Sequence, residues 1–67
     1  MTSLSTPGDI LRAALAKEKA AYRFYERIET QCRIDYVQEL LCRLKDEEGK
    51  HIKLIDAMLA DMNLGRG

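Results

Sequence analysis

The sequence predicts an all-α protein, an antiparallel two-helix hairpin that dimerises into a four-helix bundle. Apolar residues recur at alternating steps of three and four along both halves of the chain, which is the spacing of one helix face. The single proline is Pro7, and the short stretch Arg33 to Asp35 divides the pattern into two segments. With 67 residues the chain forms one domain, 1–67, and a core of that size rarely suffices without a metal, disulfides or oligomerisation.

The first helix is predicted to run from about residue 7 to about residue 32. Thr6 can cap its first turn, Pro7 suits the first helical position, and Asp9 favours the positive end of the helix dipole. The residues that follow are mostly Ala, Glu, Lys, Arg and Leu, which are good helix formers.

The second helix is predicted to run from about residue 36 to about residue 63. Asp35, followed three residues later by Gln38, has the spacing of a capping box, in which each side chain bonds to the backbone N–H of the other residue. Asn63 and Gly65 are residue types at which helices often end. Because the connection is so short, the two helices are expected to be antiparallel neighbours.

Three polar residues, Glu18, Glu48 and His51, interrupt the apolar stripes of the two helices. A carboxylate buried without a partner costs several kcal/mol, so these groups need something that neutralises them. A Glu from one helix and a Glu-x-x-His pair from its neighbour are half of the ligands of a di-iron or di-manganese centre in a four-helix bundle. The stripe on the first half is Leu11, Ala14, Glu18, Ala21, Tyr25, Ile28 and Cys32, and on the second half it is Val37, Leu41, Leu44, Glu48, His51, Ile55, Leu59 and Met62.

These three polar residues are predicted to lie at one level of the hairpin. If Ile34 is the centre of the turn, Glu18 lies sixteen residues before it. Glu48 and His51 lie fourteen and seventeen residues after it, on one face of the second helix. At a rise of about 1.5 Å per residue, the three fall within about 4–5 Å of one another along the hairpin.

One hairpin cannot close such a site, and its apolar stripe is too wide for two helices alone. Two hairpins related by a two-fold axis perpendicular to the helices would combine their ligands into a set of four Glu and two His. We therefore expect a homodimer, or a larger multiple of dimers, with the site at the interface. The residues that widen the stripe are Leu15, Tyr22, Leu40, Leu54 and Met58.

Two spaced motifs cover the two helices, namely Ala14-x-x-x-Glu18-x-x-Ala21-x-x-x-Tyr25 and Leu40-x-x-x-Leu44-x-x-x-Glu48-x-x-His51. Together they resemble one half of a rubrerythrin or ferritin-like four-helix bundle, over about residues 10–62. The chain carries one such half instead of two. It therefore looks like the encapsulated ferritin-like proteins, whose short two-helix subunits build an iron site at a dimer interface.

The resemblance implies a ferroxidase, or an oxidoreductase whose iron reacts with peroxide or oxygen, with no catalytic residue beyond the metal ligands. Glu18 and His51 would be terminal ligands, and Glu48 a bridging ligand. Tyr25 follows the family pattern of a residue that hydrogen-bonds the ligands. For Tyr22 that role and ordinary core packing both remain open. Two iron ions per dimer are implied, and manganese suits the same donors.

The residues also admit a second interpretation, a non-enzymatic homodimeric interaction or scaffold module with a structural metal or none. In that case Glu18, Glu48 and His51 would form an ion-pair network that fixes the register of the bundle.

Gly49, inside the second helix, also has two interpretations. A glycine inside a helix costs about 1 kcal/mol against alanine, and either the close approach of another helix or chance accounts for it.

Composition argues against two classes of partner. Eleven Lys and Arg residues balance eleven Asp and Glu residues, so no basic surplus favours nucleic acid. No apolar run approaches the roughly 18–20 residues of a membrane span.

Cys32 and Cys42 are predicted to be reduced thiols of a cytoplasmic protein. The resemblance to encapsulated proteins further implies a location inside a protein compartment, with its shell protein as a partner. Two basic clusters are predicted on the solvated face, Lys17, Lys19 and Arg23 on the first helix and Lys45, Lys50 and Lys53 on the second.

Overall fold

The computed structural model describes residues 4–63, which form two long helices packed as a hairpin. Helix α1 spans Pro7–Gln31, helix α2 spans Asp35–Asn63, and residues 32–34 connect them. No strand occurs in the described range, and neither helix has an apolar stretch long enough to cross a membrane. The predicted all-α hairpin is confirmed, and both ends of α1 and the start of α2 lie within one residue of their predicted positions. Gly65 lies outside the described residues.

The first turn of α1 is capped as the sequence predicts. Oγ1 of Thr6 accepts a hydrogen bond from the N–H of Asp9 at 3.0 Å, which satisfies one of the donors that a first helical turn leaves unpaired. Pro7 occupies the start of the helix, where its missing N–H removes no hydrogen bond. Local sequence therefore determines where α1 begins.

The prediction of a capping box at the start of α2 is wrong, because Asp35 and Gln38 do not form its hydrogen bonds. Asp35 lies inside α2 as its first residue, and the carbonyl of Ile34 accepts the N–H of Gln38 at 2.9 Å. The side-chain amide of Gln38 donates to the carbonyl oxygens of Glu29, at 3.2 Å, and Cys32, at 3.5 Å. The last carbonyls of a helix lack partners within the helix, so this glutamine fastens the end of α1 to the start of α2.

A half-buried ion pair also joins the two helices. Nζ of Lys45 lies 2.9 Å from Oε1 of Glu29, and these side chains are 19% and 21% exposed. A hydrogen bond from Lys45 to Glu29 raises the pKa of the lysine. The prediction that Lys45 belongs to the solvated face is wrong, because its position on α2 lets the ammonium group reach across to α1.

We expect Glu29→Gln to lower the melting temperature at neutral pH. Because folding raises the pKa of Lys45, the pair stabilises the fold below the ordinary lysine pKa of about 10.4, and this stabilisation is lost as the pH rises through the raised value. Thermal unfolding at neutral pH and above about pH 11 measures the difference. Glu39→Gln is the control, since the Glu39–Arg43 pair is 69% and 76% exposed. Equal losses from the two substitutions at neutral pH would contradict this account.

The hairpin has an inner seam but no closed core. No hydrophobic side chain in the described range is fully buried. Side chains between the helices, such as Leu11, Leu15 and Ile52, are half-buried. The large apolar side chains that remain exposed are Leu4, Ile10, Phe24, Ile34, Tyr36, Leu40, Leu44, Leu54 and Met58.

One face of α2 carries exposed apolar side chains along most of its length. Leu40, Leu44, Leu54 and Met58 recur at helical spacing, share this face with His51, and are between 36% and 62% exposed. We call these five residues the open face. Exposed apolar patches are typical of surfaces that bind another molecule.

Candidate metal centre

The three residues predicted as ligands lie together halfway along the hairpin. Glu18 lies on α1, and Glu48 and His51 lie on α2. Glu18 and Glu48 are each fifteen residues from Arg33, the middle of the connection, so antiparallel packing places them at one level. One oxygen from each carboxylate and one ring nitrogen of the histidine all lie within 4.8 Å of one another.

Their separations suit ligands of a common metal ion. Nδ1 of His51 is 3.6 Å from Oε2 of Glu18 and 3.7 Å from Oε1 of Glu48. Nitrogen and oxygen ligands lie about 2.0–2.2 Å from an ion, so neighbouring ligand atoms are roughly 3–3.5 Å apart. Small side-chain rotations would close the difference. The donor set, two carboxylates and an imidazole, fits iron or manganese.

The cluster is shielded by the hairpin on one side and meets the open face on the other. The side chains of Glu18 and Glu48 are 24% and 19% exposed, whereas His51 is 50% exposed. His51 belongs to the open face, where it lies between Leu44 and Leu54 along α2. A molecule that covers the open face would therefore also cover the site.

The two carboxyl groups of the cluster shift each other's pKa in opposite directions. A hydrogen bond with Glu48 lowers the pKa of Glu18, and the nearby charge of His51 lowers it further. The same hydrogen bond raises the pKa of Glu48, and burial adds to this rise. The positive charge of Lys17, predicted only as a solvated residue, lowers the pKa of both carboxyl groups. Carboxylates bind metals in their ionised form, so the raised pKa of Glu48 makes metal binding weaker at low pH.

The two tyrosines near the site have different surroundings. The half-buried ring of Tyr25 meets Phe24 edge-on, with ring centres 5.5 Å apart. The ring of Tyr22 packs against α2 at Gly49. Among residues 4–63, neither hydroxyl forms a hydrogen bond with the clustered carboxylates. A hydrogen-bonding role for either tyrosine therefore stays a prediction for the metal-bound protein.

The cysteines lie outside the cluster. Both Cys32 and Cys42 are free and half-buried, and Sγ of Cys32 lies 3.5 Å from the carbonyl oxygen of Ile34. Glu47, next to the proposed bridging residue, also lies outside it, and its carboxylate accepts a hydrogen bond from Lys50 at 3.4 Å. Within the described range, the candidate metal ligands are therefore the carboxylates of Glu18 and Glu48 and the imidazole of His51.

A family model described as Rubrerythrin matches residues 9–67. The chain belongs to the rubrerythrin family. This membership confirms the family resemblance carried by the spaced motifs of the two helices. No curated protein and no solved structure matches this rubrerythrin-family chain. Because the family is ferritin-like and typically binds iron, it supports the interpretation of the three clustered residues as metal ligands.

Proposed function

We propose that this protein binds two iron ions at a site shared by two copies of the chain, and that it acts as a ferroxidase or as a peroxide- or oxygen-reactive iron protein. The observation that supports this most strongly is the convergence of Glu18, Glu48 and His51, from two helices, within 4.8 Å of one another. Family membership supports the choice of iron.

The need for a second copy follows from the number of donors. One hairpin offers three ligand side chains, whereas a di-iron centre in a four-helix bundle uses four Glu and two His. The open face carries His51 at the middle of an exposed apolar stripe. A second hairpin packed on this face would bury the stripe and bring its own three ligands to the first set.

Each ligand has a distinct task in this proposal. Glu48 would be the bridging ligand, and Glu18 and His51 would be terminal ligands of one ion. Bound iron would supply one-electron redox chemistry with oxygen or peroxide. The protein holds the donors at fixed separation, and the apolar residues of the open face, once covered, exclude bulk water from them.

Oxidation of added iron separates this proposal from a scaffold module. In the scaffold alternative, the contacts of His51 with Glu18 and Glu48 at 3.6 and 3.7 Å serve only to fix the packing of the bundle. Ferrous iron added without oxygen, followed by oxygen, should give a ferric absorbance band if the proposal holds. A protein that bound no ferrous iron and gave no band would be the scaffold module.

We expect Glu48→Gln to stabilise the metal-free protein at neutral pH. The raised pKa of Glu48 means that its hydrogen bond stabilises the fold below the ordinary Glu pKa of about 4.3 and is lost as the pH rises through the raised value. A glutamine amide keeps a donor towards Glu18 at every pH. Melting temperatures in chelator should therefore differ at neutral pH and converge below about pH 4.

The matched control for this prediction is Glu47→Gln, on the neighbouring exposed residue. This substitution should leave the melting temperature nearly unchanged at both pH values, since exposed ion pairs contribute little. A Glu48→Gln protein less stable than the wild type at neutral pH in chelator would contradict the raised pKa of Glu48.

A further inference from the structure

The ring of Tyr22 lies against the backbone of α2 at Gly49. A methyl group built on Gly49 would lie 3.5 Å from Cε2 and 3.9 Å from Cδ2 of the ring. A methyl group at this position would thus make ordinary van der Waals contact with the ring, whereas a larger side chain would have to displace it. Both residues are half-buried between the helices, so the ring of Tyr22 on α1 faces α2 at a residue that has no side chain.

This contact lies within one helical turn of the ligands on both helices. Tyr22 follows Glu18 by four residues, which places both on one face of α1. Gly49 directly follows Glu48 on α2. A change in helix separation or register at the contact would therefore move one clustered carboxylate relative to the other.

We propose that Tyr22 and Gly49 are positioning residues that set the separation and register of α1 and α2 at the metal site. This inference rests on the proposed function. The distance between packed helices depends on the size of the side chains at their contact, and ligands must be held to within about 0.5 Å of their productive geometry. A rigid ring beside a residue without a side chain limits how closely the two helices approach, and a larger side chain at Gly49 would force them apart.

The ring performs this task without its hydroxyl group. In the described part of the chain, the hydroxyl of Tyr22 makes no hydrogen bond with the clustered carboxylates. Phenylalanine should therefore replace Tyr22 without loss, whereas alanine removes the contact. This distinguishes Tyr22 from a residue that acts on the ligands through a hydrogen bond.

The first test compares manganous ion affinity in Tyr22→Ala, Tyr22→Phe and the wild type, at a temperature at which all three are folded. We expect Tyr22→Ala to bind at least about tenfold more weakly, the loss typical when a residue that orients ligands is removed. Tyr22→Phe should keep wild-type affinity. Tyr36→Ala is the matched control, because Tyr36 is 77% exposed near the connection.

The second test varies Gly49. It separates an effect on the position of the ligands, measured as metal affinity, from an effect on the stability of the fold. A methyl group at Gly49 makes ordinary contact with the Tyr22 ring, so Gly49→Ala should keep metal affinity while raising the melting temperature through better helix propensity. Gly49→Leu also improves helix propensity, but its side chain must displace the ring. We expect Gly49→Leu to bind manganous ion at least about tenfold more weakly although it is folded.

The outcomes separate this inference from the proposed function. Wild-type affinity in folded Tyr22→Ala and Gly49→Leu would overturn the inference alone. Equal losses in Tyr22→Ala and Tyr22→Phe would overturn it too, because they would assign the effect to the hydroxyl group. A wild-type protein that bound no manganous or ferrous ion would overturn both the inference and the proposed function.

Discussion

Glu48→Ala is expected to abolish binding of both metal ions of a dimer. Glu48 is the proposed bridge, and its carboxylate lies within reach of Glu18 and His51. Removing it from each chain takes two of the six ligand side chains from the shared set and leaves neither ion with a full complement. Metal content after equilibrium dialysis against ferrous or manganous ion measures the effect, and the expected result is a fall to the background level.

Glu47→Ala is the control for this experiment. Glu47 is adjacent in sequence, is 58% exposed, and pairs only with Lys50 at 3.4 Å. A helix turns by about 100° per residue, so Glu47 lies on a different side of α2 from Glu48. It shares a face with His51, four residues later, but its carboxylate is not part of the cluster. Its removal should leave metal content unchanged. Wild-type metal content in the Glu48→Ala protein would mean that the three residues form an ion-pair network and not a metal site.

Removing metal with a chelator is expected to weaken the dimer and to lower the melting temperature. An ion that binds only the assembled, folded state stabilises it by mass action, by about 2.7 kcal/mol when free metal is at about 100 times its Kd. The open face, with side chains such as Leu54 at 62% exposure, would return to solvent on dissociation. Sedimentation at micromolar concentration, with and without chelator, measures the change.

The Glu48→Ala protein is the reference for this sedimentation measurement. If the site spans the interface, this variant should sediment alike with and without chelator, whereas the wild type should shift towards the 7.7 kDa monomer in chelator. Restoring ferrous or manganous ion under argon should restore the wild-type dimer. A wild-type dimer of equal affinity in both conditions would place the metal within one hairpin.

The convergence of the three ligands could be predicted because it depends only on regular geometry. Helical rise and a short connection fix the level of each residue along an antiparallel hairpin. Glu18, Glu48 and His51 therefore lie at one level, and their places in the apolar stripes turn them towards the other helix. The start of α1 was predictable because the capping residue Thr6 acts within one turn.

Contacts between the helices were harder to predict. Gln38 and Lys45 form their bonds across to α1, and such contacts depend on how far each helix is rotated about its own axis. A periodic apolar pattern constrains that rotation only to within the width of the stripe. The contact between Tyr22 and Gly49 has the same origin, which is why their sequence positions left two interpretations open.

The periodic pattern of the sequence does not predict how two copies of the hairpin would cross. The open face and the set of three candidate ligands support the proposal of a second hairpin, and both are features of a single copy. How the two hairpins cross depends on contacts between them. The shared site is therefore the central claim, and the ratio of metal to chain tests it.

The most direct test is the native mass of the protein loaded with manganous ion under argon. The account predicts an assembly of two 7.7 kDa chains, or a multiple of two, with one metal ion per chain. It also predicts that no monomer retains an ion, because Glu18, Glu48 and His51 of one chain are half of the ligand set. A monomer that carries metal, or a dimer without metal at saturating manganous ion, would contradict a di-metal site shared between two copies.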